Sequence, residues 1–139
     1  MADRGSARSL KDWDQRRSLV QELVEPTDAA SVAGEALRWL NHLLGRFHAP
    51  AEVYAVVGQL AYCQERLPQA MDGMVAFLVR ESAAGRLRHD AGDDIDEAVA
   101  GFAIAARDVK RGVMDAARAL HEAHRAISGV GGVLEGEDG

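Results

Sequence analysis

The sequence predicts an all-α protein in which a long antiparallel helical hairpin, formed by residues of about 51–84 and 95–128, packs with two shorter N-terminal helices as in a four-helix bundle. Aromatic residues make up only 5% of the chain, and Ala, Leu and Val supply most of its apolar content. Such a composition favours closely packed helices over a β-sandwich. Apolar residues also recur at steps of three and four along two segments of matched length, which is the periodicity of amphipathic helices.

Two shorter helices are expected first. Ser9 followed by Asp12 approximates a capping box, and the loosely helical row that follows it ends at Pro26. That row consists of Leu10, Trp13, Val20, Leu23 and Val24. Thr27 or Asp28 can cap the second helix, which we expect to end near Gly45 and before Pro50. Its apolar row is Ala33, Ala36, Leu37, Leu40, Leu43, Leu44 and Phe47.

The third helix carries the clearest pattern. Pro50 suits its first turn, where a missing N–H costs nothing. Its row is Val53, Val57, Leu60, Leu67, Met71, Met74 and Leu78, with Gln64 as the single polar member. Pro68 could divide the segment into two helices, but the row keeps its phase across the proline, so we favour one kinked helix. Gln64 either fixes the register of the pairing or turns toward a carbonyl that Pro68 leaves without its partner.

The fourth helix follows a polar connection. Gly85 supplies a stop, and Asp94 with Glu97 forms the Asp version of a capping box. The expected buried row is Ile95, Ala98, Phe102, Ala105, Val109, Val113, Ala116, Leu120, Ala123 and Ile127. Each long helix then spans about 50 Å at 1.5 Å per residue. Equal lengths favour a hairpin.

The chain has the length of one domain, so we expect a single helical domain over residues 1–128 and a Gly-rich, acidic, disordered tail over 129–139. Cys63 is the only cysteine, which excludes a disulfide within the chain. No stretch has the composition of a signal peptide or of a membrane span, and we therefore expect a cytoplasmic protein.

No motif for catalysis or for nucleotide binding is present, so we expect neither an enzyme nor a cofactor. His121 and His124 are weak candidates for metal ligands because their i, i+3 spacing can place two imidazoles on one side of a metal. The helix dipole alone explains histidines near a C-terminus, and this interpretation is favoured. Cys63 is expected to be a structural, partly buried thiol, since no cationic neighbour activates it.

Nucleic-acid binding is the alternative function. The N-terminal segment contains five basic residues that could contact phosphates. They are Arg4, Arg8, Lys11, Arg16 and Arg17. Acidic residues interleave with them, and the net charge of −6 makes nucleic-acid binding the less favoured reading.

Three stretches between Leu37 and Leu87 carry a resemblance: His48 to Tyr54, Glu65 to Gln69 and Ala83 to Leu87. They resemble small uncharacterised all-helical proteins of actinobacteria. The resemblance implies a bacterial helical protein and does not indicate a particular activity. In gross plan the hairpin is also similar to secreted helical-hairpin proteins with a Trp-x-Gly turn, but Trp13 and Trp39 both precede the hairpin and no such turn occurs.

The sequence therefore predicts a non-enzymatic helical-bundle protein of interaction or scaffolding, which acts by self-association, as in a coiled coil, or through a protein partner. No membrane partner is expected. The candidate interaction residues are the larger apolar members of the two long rows. They are Val57, Leu60, Met71, Met74, Leu78, Phe102, Val109, Val113 and Leu120.

Overall fold

The computed structural model describes residues 15–18 and 20–133. The chain divides into two compact units, one that ends at Phe47 and one that begins at His48. Every regular element in the described part of the chain is helical, and a long antiparallel pair dominates the second unit, so the predicted fold class is confirmed. None of the helices in these residues combines the length and apolar character that crossing a bilayer requires.

In the first unit, residues 15–18 and 20–21 are helical, and helix α1 spans Pro26–Leu43. The expected Ser9 capping box, with Leu10 and Trp13, lies outside the described residues. The prediction that Thr27 or Asp28 caps α1 is wrong: Glu25 is the N-cap, and Pro26 occupies the first turn, where its fixed φ suits a helix. A short 3-10 helix, Leu44–Arg46, ends the element near Gly45 as expected.

Helix α2 spans Pro50–Ala83 without interruption. Glu52 stabilises its start, since one carboxylate oxygen accepts hydrogen bonds from the backbone N–H groups of His48, at 2.5 Å, and Ala49, at 2.9 Å. Pro68 lies inside the helix and does not divide it, which confirms the prediction of a single element. Gly85, at φ +68°, ends the turn that follows in the left-handed region that favours glycine.

Helix α3 spans Ile95–Ala126. Asp94 caps it as predicted, because its side chain accepts from the N–H groups of Asp96, at 2.8 Å, and Glu97, at 3.2 Å. The helix ends two residues before the predicted boundary, and Gly129 adopts φ +82° in the turn beyond it. Residues 130–133 have no regular structure, and the remainder of the expected tail, 134–139, lies outside the described residues.

Contacts at both ends fix the register of the hairpin. Near the loop, Ser82 Oγ donates to Asp96 Oδ1 at 2.9 Å. At the far end the rings of Tyr54 and His124 stack with centroids 3.6 Å apart. The same interval of 28 residues separates Tyr54 from Ser82 and Asp96 from His124, so four whole heptads lie between the two contacts. α2 and α3 therefore pair over nearly their full length.

The facing row of α2 is not the predicted one after Gln64. Leu67 and Met74 are exposed, and Pro68 and Val75 are half-buried in their place. The row now reads Val57, Leu60, Ala61, Gln64, Pro68, Met71, Val75, Leu78 and Ser82. The prediction is wrong at these two positions, by one residue each. An apolar row that advances by three and four residues can contain either of two adjacent residues, depending on the order of the steps.

The predicted row of α3 needs the same correction. Ala98, Ala105, Val109, Ala116 and Ala123 are exposed. The observed row is Ile95, Val99, Phe102, Ala103, Ala106, Lys110, Val113, Ala117, Leu120, His124 and Ile127. In the described part of the chain only Ala61, Ala106 and Ala117 are buried hydrophobic residues, so small side chains fill the centre of the hairpin and let the helices approach closely.

Candidate interaction surface

Two polar contacts identify one side of the hairpin. The Glu65 carboxylate lies 2.5 Å from His121 Nε2, and the Lys110 ammonium lies 2.6 Å from Asp72 Oδ1. On α2, Glu65 and Asp72 are seven residues apart and share one edge of the facing row. We call this side of both helices the charged flank. On α3 it also presents Arg107 and Met114, each seven residues from the next position of the row that ends at His121.

The opposite side of α2 is apolar. Positions on the other edge of the facing row, at steps of three and four, hold no charged residue from Val53 to Phe77. They are Val53, Val56, Leu60, Cys63, Leu67, Ala70, Met74 and Phe77. From Cys63 onward all of them are exposed. This row is the α2 half of what we call the apolar flank.

The other half comes from α3. Because Glu65 contacts His121 across the charged flank, the opposite edges of α2 and α3 must also lie on one common side. The α3 positions there are uncharged without exception: Ala98, Phe102, Ala105, Val109, Gly112, Ala116, Ala119, Ala123 and Ala126. All are exposed except Phe102, which is half-buried. The apolar flank therefore crosses both helices.

The two halves of the apolar flank have similar extent and different texture. The register places Phe77 level with Gly101 and Val53 level with Arg125, so the α2 row runs beside the α3 row over about 36 Å. The exposed α2 side chains include Leu67, Met74 and Phe77, whereas α3 contributes mostly Ala and Gly. At the loop end, Ala98 and Phe102 also line a shallow depression of about 330 Å³. The flank is thus bulky on one helix and flat on the other.

The outward face of α3 has the opposite character. Arg111 and Arg118 form ion pairs with Asp108, at 3.7 Å, and with Asp115 one turn away. Acidic and basic positions alternate there at i, i+3 spacing, which is the pattern of a solvated helix surface. A continuous basic surface for phosphates is absent from this helix. Of the N-terminal basic residues, Arg16 and Arg17 are exposed in a helical segment, and Arg4, Arg8 and Lys11 lie outside the described residues.

The nine candidate interaction residues fall into two sets. Seven lie half-buried in or beside the facing row: Val57, Leu60, Met71, Leu78, Phe102, Val113 and Leu120. Met74 and Val109, 46% and 42% exposed, lie on the apolar flank. The first set holds α2 to α3, and only Leu60 and Phe102 among them also border the flank. Met74 and Val109 are the candidates with surface to offer another molecule.

His121 and His124 do not converge on a common point. The His121 ring binds Glu65 on the charged flank, whereas the His124 ring stacks on Tyr54 within the hairpin. Gly58 leaves room for the latter, because a Cβ at that position would lie 3.2 Å from His124 Nε2. In the described residues no group of three or more His, Cys, Asp or Glu side chains could hold a metal ion.

Cys63 is exposed, which corrects the expectation of a partly buried thiol. It lies in the middle of α2, on the apolar flank, one turn before Leu67. Its neighbours one turn away on this flank are Leu60 and Leu67, whereas Gln59 and Arg66 lie on its other side. The thiol is therefore a native chemical probe of the exposure of this side of the hairpin.

Carboxylates at the two ends of α2 have shifted acidities. Hydrogen bonds from the backbone N–H groups of His48 and Ala49 hold the pKa of Glu52 below its usual value. Near the loop, a two-bond ion pair with Arg86 lowers the pKa of Glu81, assisted by Arg80, and raises the pKa of Arg86. Both carboxylates secure a helix end.

Several residues of the apolar flank were predicted from the sequence, but as members of the buried rows. Leu67, Met74 and Val109 are examples. The signal was present as a surplus, since α2 and α3 hold more apolar positions than one facing row can use. This apolar stripe is wider than the seam of a coiled coil, so part of it lies outside the facing row. No protein-family model, curated protein sequence or solved structure matches this chain.

Proposed function

We propose that this chain is a non-enzymatic protein of interaction, which acts through its hairpin by binding another polypeptide, either a second copy or a different protein. The apolar flank is the observation that supports this proposal. It combines exposed Leu67, Met74 and Phe77 with an uncharged surface of α3 over the same length. Scattered apolar side chains are normal on a protein surface, but a continuous apolar band is typical of a contact surface.

Thermodynamics supports the same proposal. In the described part of the chain no large side chain is fully buried, so the hairpin gains little of the burial that stabilises a folded domain. Anything that binds the folded hairpin and covers its flank adds free energy that the unfolded chain cannot gain. Binding and folding of this element should therefore be coupled.

The alternation of charge on α3 and the net charge of −6 do not favour nucleic acid as the partner. A scaffold of this kind has no need of a cofactor or metal. Its expected chemistry is the burial of apolar surface on a rigid helical rod.

A photo-crosslinking amino acid placed at position 74 of the full chain, in the cells that make it, tests this proposal. Position 114 provides the control, because Met114 is exposed to a similar degree, 53% against 46%, on the charged flank. We expect protein adducts from position 74 and few from position 114. Equal or absent adducts at the two positions would contradict a function based on the apolar flank.

A further inference from the structure

We infer that the occupant of the apolar flank is a second copy of this chain, and that two hairpins pair flank to flank about a twofold axis parallel to the helices, giving a four-helix bundle. This inference rests on the proposed function and names its partner. The apolar flank, its extent and its texture are the observations that carry it.

The area of the flank suits a stable dimer. A band about 36 Å long and two helices wide, about 18–20 Å when the axes lie about 8–10 Å apart and each helix is about 10 Å across, has a projected area of about 650–720 Å². Because helix surfaces are ridged, the accessible area exceeds the projected area. Specific interfaces bury about 800 Å² on each partner, and the largest apolar patch of an ordinary monomer is about 300–600 Å². The flank is thus of the size that a dimer needs.

The texture of the flank makes it complementary to itself. A twofold axis parallel to the helices sets α2 of one copy against α3 of its partner, with the two helices antiparallel. At the level set by the register, Leu67 of one copy then lies over Gly112 of the other copy and Met74 over Ala105, whereas Phe77 lies beside Phe102. Ridges of large side chains pack into a surface of small ones, as in the alternation of large and small residues that fills helical cores.

Charge supports pairing of like flanks. With a net charge of −6, two copies repel one another when their charged surfaces meet. The apolar flank presents no charged residue between Val53 and Phe77 or between Ala98 and Ala126. Pairing through it keeps Glu65, Asp72 and the arginines of α3 in solvent on the far sides of both copies.

The test compares matched substitutions in the full chain by sedimentation equilibrium, with circular dichroism as a check on folding. Met74→Glu places a charge in the middle of the apolar flank, and Met114→Glu places it on the charged flank. We expect the wild type and Met114→Glu to sediment as dimers of the 14.9 kDa chain, and their dissociation constants to agree within about threefold. Met74→Glu should raise the dissociation constant about a hundredfold or more, because the charge is buried twice in a symmetric interface.

A second pair of substitutions keeps the test decisive if one variant of the first pair misfolds. Val109→Asp lies on the apolar flank and Val79→Asp on the charged flank, and the helices are exchanged relative to the first pair. A monomeric wild type, or dissociation that does not distinguish the flanks, would overturn the inference. If position 74 crosslinks only to other proteins and the purified chain is monomeric, self-pairing is wrong and the proposed function stands. If neither crosslinking nor association occurs, both fail.

Discussion

Tyr54 and His124 stack in nearly parallel planes, with an angle of 20° between the rings, at the end of the hairpin farthest from its loop. The contact joins the second turn of α2 to the last turn of α3. The stack therefore bridges the two helix ends that no loop connects. Ser82 and Asp96 perform the equivalent task beside the loop, where the connection already keeps the helices close.

Replacing Tyr54 by Ala should therefore loosen the open end. We expect a loss of about 1–2 kcal/mol in the free energy of unfolding, since an aromatic pair contributes about 0.5–1.5 kcal/mol beyond its buried area. Amide hydrogen exchange should accelerate in the first turns of α2 and the last turns of α3. Tyr62→Ala is the control. Tyr62 is 52% exposed, and its ring lies under the guanidinium of Arg66, which belongs to the same helix. Equal losses from the two variants would contradict a role for the stack.

Pro68→Ala should stabilise the chain. Proline in a helix interior removes one hydrogen bond, here to the carbonyl of Gln64, and costs about 3 kcal/mol. The register places Pro68 opposite Lys110, whose ammonium reaches Asp72 rather than the proline ring. We expect a gain of about 1–3 kcal/mol by chemical denaturation. A loss would mean that the half-buried ring packs better between the helices than an alanine would.

The two helical glycines of α2 should respond differently to alanine. Gly73→Ala meets no atom within 4 Å, so it should gain about 0.5–1 kcal/mol through helix propensity. Gly58→Ala brings a methyl group to 3.2 Å from His124 Nε2, and the ring must shift. Its gain should be smaller or reversed. Thermal unfolding of the two variants side by side measures the difference, and equal gains would show that His124 moves freely.

Glu52 should make stability depend on acid pH. Its folded pKa lies below the ordinary value of 4.5 because the N–H groups of His48 and Ala49 bond to the ionised form. The stabilisation is thus fully present above the unfolded pKa and is lost as pH falls through the folded pKa. Glu52→Gln should destabilise the chain near about pH 7 and have little effect near about pH 2, in urea unfolding at both pH values. Glu122→Gln, on an exposed position of α3, should change little at either pH.

The sequence was sufficient to predict the two long helices and their pairing, because helix ends depend on local chemistry. Pro50, Gly85 and Asp94 each occupy a position that only a few residue types favour, and α2 and α3 begin or end beside them. The apolar row of α2 keeps its phase across Pro68, and this predicted one continuous helix. That the N-terminal helices complete a bundle with the hairpin stays a prediction.

Which apolar row faces inward could not be read from the periodicity. Where Leu67 and Pro68, or Met74 and Val75, stand side by side, steps of three and four accept either residue. The facing row of α3 contains Lys110 and His124, which no hydrophobic pattern selects, and its buried centre consists of alanines. The facing row can be distinguished from the apolar flank only when the relative orientation of the two helices is known. Contacts such as that between Glu65 and His121 fix this orientation.

The reaction of the Cys63 thiol with a small maleimide, under native conditions and over a range of protein concentrations, tests most directly whether the apolar flank is a contact surface between copies. We expect fast alkylation in dilute solution and progressively slower alkylation as the protein concentration rises, and fast alkylation of the Met74→Glu variant at every concentration. A rate that is independent of concentration in the wild type and equal to that of Met74→Glu would contradict it.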